Sequence, residues 1–481
     1  MYNNNIISHL KSIVGDKSIS TDIKTLEYHA TDLFFSGPLP LAVLVPSTRE
    51  ILQELVQICD VNNLAIIPRG GGLSYTAGYV QNQKKMKDFI IIDTRKLNKI
   101  IKYDAENLTI TVEAGCTWES IMLICQKDKL RVKMAGPSTG RYATIGGSVS
   151  NNSMFFGSAK NATAADAVVG LEVILPSGKI IKTGTNGLKN STPFYRNNGP
   201  DLTGLFLTDN GAFGVKSAVS LKLEPIPLGI SFSSYSYSEF TEMIPAISAL
   251  GKLGECSECL GLGGLFSSNN NISAPALHIT TEGWTQSIAD TKQMMANKIL
   301  GSAAHRIEPT IPKFMKANPF SFSTSPLDSK GRLQIWTNGM FPFDRVSHAY
   351  QAFLQIIEKR TPKMNRMKVD ATLSFACAGN AMMIEPVLYW NGVPSELHLS
   401  GMKISTSSKI HKNDDAIKKF VADLRNEFLE AMDSLGAAHL QYGRFYNYNT
   451  TLDPDTLDFV KNLKKLVDPR STINPGALGL Y

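Results

Sequence analysis

The first 225 residues place short apolar runs between clusters of glycine and polar residues. Leu41–Val45 and Leu64–Ile67 have the composition of buried strands, and a helix is predicted between them. Ser47 predicts the start of this helix, because Glu50 stands three residues later and completes a capping box. The pattern therefore predicts one β-α-β unit, whose second strand ends in the run Pro68 to Gly72.

Other segments of this region predict a sheet with few helices. A helix is predicted over Thr117–Gln126, and a long loop over Met134–Ala165, which lacks clear periodicity. A hairpin with a Pro-Ser-Gly turn is predicted between Ala167 and Ile181. The remaining strands are predicted at Phe89–Asp93, Ile100–Tyr103, Leu108–Gly115 and from Gly214 onward.

The sequence pattern changes after residue 225, where it predicts several strands and helices, such as Asp344–Lys359 and Asp414–Leu435. We expect an α+β protein with a first domain over 1–225, a second α+β domain over 226–438 and a C-terminal segment over 439–481. This last segment holds a helix followed by a tail rich in Pro and Gly. We expect the tail to dock on a folded surface rather than to hang free.

Composition excludes several classes of protein. The 481 residues are 43% hydrophobic and 19% charged, which excludes disorder as the main state. The net charge of +7 is too dilute for a nucleic-acid protein but suits an anionic cofactor or substrate.

The single CxxC pair, Cys256 and Cys259, is a weak metal signal, and packing cysteines are expected instead. The first residues show no basic stretch followed by a long apolar one, and no run of about 18 apolar residues occurs, so we expect a cytoplasmic protein without a signal peptide or a transmembrane segment.

Loop one, Pro68 to Gly78, follows a predicted strand. Consecutive glycines let a backbone approach a ligand closely and present several N–H donors in one concavity, which favours phosphate. Arg69 adds positive charge, and Ser74 and Thr76 add hydroxyl groups. A dinucleotide site of the Rossmann type is the alternative, with Asp93 at the required distance, but no amphipathic helix follows and Tyr75 replaces the third glycine.

Loop two, Ala135 to Lys179, is the second candidate for ligand binding. Gly146 and Gly147 again permit close backbone approach. A loop of this length inside a compact domain is usually functional, and tight surface turns are the alternative. Its hydrogen-bonding groups come from Ser138, Thr139, Thr144, Ser148, Ser150, Asn151 and Asn152.

Five segments taken together resemble the vanillyl-alcohol oxidase / p-cresol methylhydroxylase family of FAD-linked oxidases, which includes glycolate oxidase and D-lactate dehydrogenase-like proteins. These segments are PRGGGLSYTAG, LTITVEAGCTWESI, GPSTGRYATIGGSVSNNS with AADAVVGLEVILPSGKIIKTG, GPDLTGLFLTDNGAFGVKSAVSLKLEP and VDPRSTINPG. The resemblance implies an FAD-binding domain of two α+β subdomains, an α+β cap domain over the flavin, and a C-terminal tail that returns to the FAD domain.

The resemblance also assigns cofactor-binding positions. Loop one would wrap the pyrophosphate, loop two would run along the flavin, and a third segment would lie beside the adenine. The corresponding residues are Pro68, Arg69, Gly70, Gly71, Gly72, Leu73 and Ser74, then Pro137, Ser138, Thr139, Thr144, Gly146, Gly147, Ser150 and Asn151, and finally Phe213, Gly214 and Val215.

Some positions depart from the family patterns. Leu73 stands where some members attach FAD through a histidine, and no cysteine lies between Cys125 and Cys256 to form the other link. A covalent link from the cap domain stays open. Asn210, before the first glycine of TDNGAFG, replaces the acidic residue of the lactate and glycolate branch. An HxHxGDGN motif is absent, so no catalytic metal is expected.

The resemblance implies oxidation of an alcohol or 2-hydroxy acid to a carbonyl by hydride transfer to flavin N5. Such a site needs a proton acceptor and an anchor for the substrate. In the cluster HLQYGRFYNY, Arg444 could hold a carboxylate bidentately, and Tyr442 or His439 could handle a proton. Packing of this cluster as an interdomain strand is the alternative. In the predicted cap strand MMIEPVLYW, Glu385, Tyr389 and Trp390 are candidates; His398, His278 and Arg332 are weaker ones.

Three other functions stay open. The scaffold also supports an oxidase of para-substituted phenols, a flavin-binding subunit of a multi-chain dehydrogenase without turnover, or a nucleotide-binding module without flavin. The expected partners are a small-molecule substrate and an electron acceptor, which would be oxygen, a quinone or a carrier protein. A homodimer stays open.

Overall fold

The computed structural model describes residues 2–81, 87–134, 136–155, 157–263, 274–320, 327–328, 331–399 and 415–481. The chain divides into two compact units. The first comprises Met1–Ser153, Ala164–Pro225 and Gln441–Tyr481, and the second comprises Met154–Thr163 and Ile226–Leu440. The α+β fold class predicted from the sequence is confirmed.

A four-stranded sheet in the first unit carries loop one. Its strands, in spatial order, are Ile19–Ser20, Val43–Leu44, Phe89–Asp93 and Ala65–Arg69, and the last three run parallel. The predicted β-α-β unit is therefore present. Its helix is Arg49–Val61, and the cap is Thr48 rather than Ser47, because the Thr48 side chain accepts a hydrogen bond from the Ile51 N–H.

An antiparallel sheet of six strands completes the first unit. The predicted hairpin is confirmed, since Val168–Ile174 pairs with Ile180–Lys182. The spatial order of the sheet is Ile100–Asp104, Thr109–Glu113, Val215–Pro225, Val168–Ile174 and Ile180–Lys182, with Leu130–Val132 paired to Val215–Pro225.

The helices of the first unit include one that sequence periodicity did not predict. Ile145–Asn151 is helical inside the predicted loop 134–165, because the Thr144 hydroxyl caps its start while two glycines and two serines hide its apolar period. The other helices are Tyr2–Val14, Ile23–His29, Trp118–Cys125, Leu202–Leu205, Tyr448–Thr451 and Pro454–Val467. The 3₁₀ turns are Asp16–Ser18, Thr94–Lys96, Gln126–Asp128, Ala164–Ala167, Gly184–Gly187 and Ala477–Gly479.

The second unit is an antiparallel sheet of eight strands with helices. The strands, in spatial order, are His305–Ile307, Gly229–Ser236, Ala276–Gly283, Cys256–Leu262, Asp370–Ala378, Ala381–Trp390 and Leu333–Trp336, with Gly339–Phe341 also paired to Ala381–Trp390. The described helices are Ser158–Asn161, Phe240–Leu253, Gln286–Ile299, Thr310–Ala317, Val346–Met367, Glu396–Leu399 and Asp415–Ser434.

Residues 154–163, which the sequence pattern assigns to the first domain, group with this second unit. The Ser158 hydroxyl donates to the Cys377 carbonyl at 3.2 Å, and the Gly157 N–H donates to the Glu258 carboxylate. The helix Ser158–Asn161 thus packs on the strands that contain Glu258 and Cys377. A segment from loop two is therefore part of the second unit.

The C-terminal tail packs on the first sheet. The Ile66 N–H donates to Thr472 O, and the Asn474 N–H donates to Ile66 O, both at 2.8 Å. Lys464 fixes the same tail, since its buried ammonium donates to Asp468 at 2.5 Å and to Ile473 O at 2.9 Å. No helix in the described part of the chain is both long and apolar enough to cross a membrane.

Candidate functional site

Loop one leaves the edge of the first sheet and is held by a segment near the N-terminus. The Ala77 N–H donates to the buried Asp32 carboxylate at 2.8 Å, and the Leu33 N–H donates to Ser74 O at 3.0 Å. The Tyr79 hydroxyl lies 2.8 Å from both Thr31 O and Gly72 O. Gly72 has a φ of +77°, which favours glycine. The loop is therefore braced on one side, and its turn depends on a glycine.

Loop one and loop two are in contact. A Cβ added to Gly70 would overlap the Thr144 hydroxyl, and one added to Gly71 would overlap the Tyr142 carbonyl, at 3.1 Å from its carbon. Thr144 is the residue that caps the helix Ile145–Asn151. The absence of Cβ atoms thus lets two separated segments close into one cradle lined by backbone, as dinucleotide binding requires.

Arg69 lies beneath loop one rather than beside it. Its side chain is fully buried, and its guanidinium stacks between the rings of Tyr28 and Tyr79, at 5.1 Å from each ring centre. A Cβ on Gly72 would lie 2.6 Å from the guanidinium carbon. The loop backbone at Gly72 therefore covers the guanidinium, and the role of Arg69 in cofactor binding stays a prediction.

The end of loop one joins three motifs that are distant in the sequence. The Gly78 carbonyl accepts hydrogen bonds from Asn210 Nδ2 at 3.0 Å, from Asn474 Nδ2 at 3.2 Å and from Arg444 Nη1 at 3.0 Å. These donors come from TDNGAFG, VDPRSTINPG and HLQYGRFYNY. Three of the segments that carry the resemblance, together with HLQYGRFYNY, therefore meet at one carbonyl oxygen.

Arg444, which we predicted to hold a substrate carboxylate, makes several hydrogen bonds to protein groups, and its role as an anchor stays a prediction. Besides Gly78 O, its guanidinium donates to Ala77 O at 3.0 Å, to Asn474 Oδ1 at 2.6 Å and to Pro475 O at 2.9 Å. Burial lowers the pKa of Arg444 to about 9, which still leaves it charged at neutral pH. The side chain ties loop one to the tail, so four of its hydrogen bonds are made within the protein.

Gly443 explains why HLQYGRFYNY is a series of turns rather than the strand that we considered. Its φ is +58°, and a Cβ there would overlap the Thr76 backbone. The Arg444 and Phe445 N–H groups both donate to Thr76 O, at 2.9 and 3.1 Å. Tyr442 packs edge-on against Tyr446 and Tyr448 in the same segment.

The other predicted cofactor positions lie on this framework. Phe213 and Val215 are buried, so a ligand could reach this segment only through its backbone. Pro137, Ser138 and Thr139 form a turn, in which the Gly140 N–H donates to Pro137 O at 2.8 Å. A Cβ added to Gly146 would overlap Ala114, and one added to Gly214 would overlap Val173. The Gly147 N–H donates to the Thr144 hydroxyl. Ser150 O accepts from the Asn210 N–H, and Asn151 O accepts from the Gln441 N–H. Pro68 and Leu73 are half-buried, and Ser74 is buried.

The predicted proton-handling residues belong to different units. His439 is in the second unit, where its ring nitrogens lie 3.1 Å from Asn338 O and 2.9 Å from the Asp433 carboxylate. Tyr442 and Arg444 belong to the first unit. Both nitrogens of His439 thus have partners within its own unit, and its role in proton transfer stays a prediction.

Glu385 and Tyr389 are four residues apart in the strand Ala381–Trp390, so their side chains lie on one face of the second sheet. Trp390 lies on the other face. Glu385 is paired across the sheet with Ser374, whose hydroxyl donates to the carboxylate at 3.3 Å. The pKa of Glu385 is raised to about 7 because burial disfavours the charged carboxylate more strongly than the hydrogen bonds from Ser374 and Asn338 favour it. A carboxyl group with this pKa can accept a proton near neutral pH.

The weaker candidates have structural partners. Arg332 lies 5.2 Å from the centre of the Tyr389 ring and pairs with Asp328 and Asp370. The ring nitrogen Nδ1 of His278 lies 2.8 Å from the Ser234 hydroxyl, and burial lowers the pKa of this imidazole to about 4. His398 lies in the short helix Glu396–Leu399, with Nδ1 2.6 Å from the Ser395 hydroxyl, rather than in a strand.

The sequence analysis did not identify the residues that bind the backbone of loop one from distant parts of the chain. Asp32 is 45 positions from Ala77 in the chain, and Asn474 is 396 positions from Gly78. A local signal existed for Asp32 alone, because its side chain accepts from the N–H groups of Phe34 and Phe35 and so predicts a turn. Nothing local indicates which distant backbone group each residue binds.

The cradle fits the phosphate end of FAD. It combines backbone surfaces that approach closely only at glycines with a buried guanidinium. Glycine backbone with a cation behind it is a common setting for a diphosphate. The residues that would hold FAD are those of the two loops and the segment 213–215.

Comparison with known proteins agrees with this assignment. The family model described as FAD binding domain matches residues 40–184. D-lactate dehydrogenase [cytochrome] 1, mitochondrial, of Saccharomyces cerevisiae is 28% identical over 231 residues, which are 46% of this chain and 37% of that protein. Glycolate oxidase subunit GlcD of Bacillus subtilis is 31% identical over 201 residues, 42% of this chain and 40% of that protein. The matches thus span about two fifths of the length of these relatives.

Two solved structures match the chain over its full length. The structure of p-cresol methylhydroxylase with substrate bound has a TM-score of 0.81 at 17% identity, and covers 100% of this chain and 97% of that one. The 4-ethylphenol oxidase from Gulosibacter chungangensis has a TM-score of 0.77 at 16% identity, with the same coverage of 100% and 97%. Residues 40–184 of the chain therefore match an FAD binding domain, and the chain has the fold of these two solved structures.

Proposed function

We propose that this protein is an FAD-dependent oxidoreductase that oxidises an alcohol or a 2-hydroxy acid to a carbonyl compound. The observation that carries the proposal is the closure of loop one on loop two, through Gly70 at Thr144 and Gly71 at Tyr142. Bound FAD would supply the hydride acceptor that no side chain of the protein can provide. The loop backbones would bind the diphosphate through N–H groups.

Glu385 is our proposed proton acceptor, acting on the substrate hydroxyl. Its pKa of about 7 leaves a large fraction of the carboxylate ionised at neutral pH and still basic enough to take a proton. Ser374 orients this carboxylate, and Tyr389 lies on the same face of the sheet. Arg444 then acts as a support for loop one rather than as a substrate anchor, because its hydrogen bonds go to loop one and the tail.

The substrate class divides into two candidates. The names of the curated relatives contain D-lactate, glycolate and D-2-hydroxyglutarate, which supports a 2-hydroxy acid. An uncharged phenol or aromatic alcohol is the second candidate, because the face that carries Glu385 also carries Tyr389, and Trp336 is on the paired strand. A substrate carboxylate near Glu385 would raise the cost of ionising that residue.

The test begins with the absorption spectrum of purified protein reconstituted with FAD, before and after acid precipitation. We expect a band near 450 nm, and its loss with the precipitate would show that flavin is not covalently attached. Reduction by D-lactate, glycolate or vanillyl alcohol with a dye acceptor then assigns the substrate class. If none of these bleaches a fully loaded flavin, a flavin-binding subunit without turnover is favoured, and a colourless protein would refute the proposal.

Oxygen, a quinone or a carrier protein remains our expectation for the electron acceptor. A cytoplasmic location and a homodimer likewise stay predictions from the sequence. Oxygen consumption during turnover, compared with reduction of a soluble quinone, would separate the acceptors.

A further inference from the structure

The guanidinium of Arg69 is buried without full compensation of its charge. Its Nη1 lies 3.8 Å from Asp93 Oδ2 and 3.5 Å from Gly70 O, both long for strong hydrogen bonds. Nε and Nη2 have no hydrogen-bond acceptor among the described residues. A buried charge with unsatisfied N–H groups is costly, so its retention calls for a reason outside these contacts.

Asp93 interacts more closely with other groups than with Arg69. Arg95 lies 2.5 Å from the Asp93 carboxylate, and His29 lies 3.2 Å from it. Although burial opposes ionisation, the hydrogen bonds from His29 and Arg95 and the charges of Arg95 and Arg69 hold the pKa of Asp93 well below its usual range. One carboxylate is therefore shared by two guanidinium groups, and its shorter contact is with Arg95 rather than with Arg69.

Asp32 is a second buried carboxylate, and it contacts the far end of loop one. Asp32 accepts hydrogen bonds from the N–H groups of Ala77, Phe34 and Phe35, at 2.8, 2.8 and 2.6 Å. These hydrogen bonds hold the backbone at the far end of the loop. Arg69 instead lies against Gly72, where a Cβ would come within 2.6 Å of the guanidinium carbon.

We infer that Arg69 is a positioning and electrostatic residue for the cofactor diphosphate, acting through the glycine backbone of loop one without contacting the ligand. This inference rests on the proposed function, since it needs a diphosphate on the opposite surface of the loop. The low dielectric of the buried site strengthens the interaction of the cation with an anion across one layer of peptide. The two tyrosine rings hold the guanidinium in place through cation–π contact.

The test compares Arg69→Met, which keeps the stem between the two rings, with Arg69→Lys and with Arg95→Met. Arg95→Met removes the same charge from the same cluster, but at a side chain that is 46% exposed. The probes are FAD, ADP and riboflavin, titrated into apoprotein at low and high salt. ADP carries the diphosphate, and riboflavin lacks it.

For Arg69→Met we expect affinity for FAD and ADP to fall by about tenfold, with a smaller salt dependence and unchanged riboflavin binding. Arg69→Lys should recover part of the affinity, and Arg95→Met should lose less than Arg69→Met. Equal losses for ADP and riboflavin would show a merely structural role and overturn the inference, as would unchanged ADP binding. If Arg69→Met does not fold, Arg69→Lys replaces it in the test. The inference would then be overturned if Arg69→Lys lost as much affinity for riboflavin as for ADP. Failure of the wild type to bind FAD or ADP would refute the proposed function instead.

Discussion

Substitution of Gly71 by alanine tests whether the two loops close as the structure indicates. The new methyl carbon would lie 3.1 Å from the Tyr142 carbonyl carbon and closer still to its oxygen, whereas carbon atoms in contact are separated by about 3.5–4.0 Å. The neighbour is backbone, so the loops must separate by roughly half an ångström or more. Overpacking of this kind costs about 1–3 kcal/mol, which corresponds to a loss of FAD affinity of about 5- to 150-fold.

The measurement is a titration of apoprotein with FAD, followed by quenching of flavin fluorescence, with thermal unfolding measured in parallel. Gly199→Ala is the matched control. Gly199 has a φ of +79° and no atom within 4 Å of an added Cβ, so this change costs about 1–2 kcal/mol of backbone strain without overlapping a neighbouring atom. Folded Gly71→Ala protein that binds FAD within twofold of the wild type would show that the loops do not form one cradle.

Three further changes test other parts of the structure. Asp32→Ala leaves the Ala77 N–H unsatisfied, so we expect FAD affinity to fall by an amount equivalent to about 1–3 kcal/mol, measured by the same titration; an unchanged affinity would argue against the brace. Lys464→Met leaves the buried Asp468 unpaired and should lower the free energy of unfolding by about 3–5 kcal/mol in urea denaturation. The wild-type rate of flavin reduction should rise with pH through about 7, since Glu385 must lose its proton before it can accept one, and Glu385→Gln should be slow at every pH; a variant that keeps the wild-type profile would exclude this residue.

Glu385 also links pH to stability. Burial raises its pKa in the folded protein from 4.5 to about 7, so the folded state binds the proton more tightly than the unfolded state. Its contribution to stability is therefore present below about pH 4.5 and is lost as the pH rises through about 7. Glu385→Gln should remove this component from the pH dependence of thermal unfolding.

The elements that local pattern determines were predicted with small errors. The strand Phe89–Asp93 and the hairpin Val168–Lys182 follow from apolar runs and a turn motif, whose effect is felt within a few residues. The start of the helix Arg49–Val61 was displaced by one position, because both Ser47 and Thr48 can cap a helix. The helix Ile145–Asn151 was missed, because its capping residue is local but its apolar face is interrupted by glycine and serine.

By itself, the sequence determined where the backbone of loop one can approach another group closely, since glycine alone leaves room for such an approach. Only the tertiary structure decided how that backbone is supported. Arg69 is next to the glycines in the chain, but its guanidinium lies beneath them, between Tyr28 and Tyr79. Arg444 and Asn474 meet at Gly78 across more than 360 residues. Such contacts depend on the packing of distant segments, which no local pattern encodes.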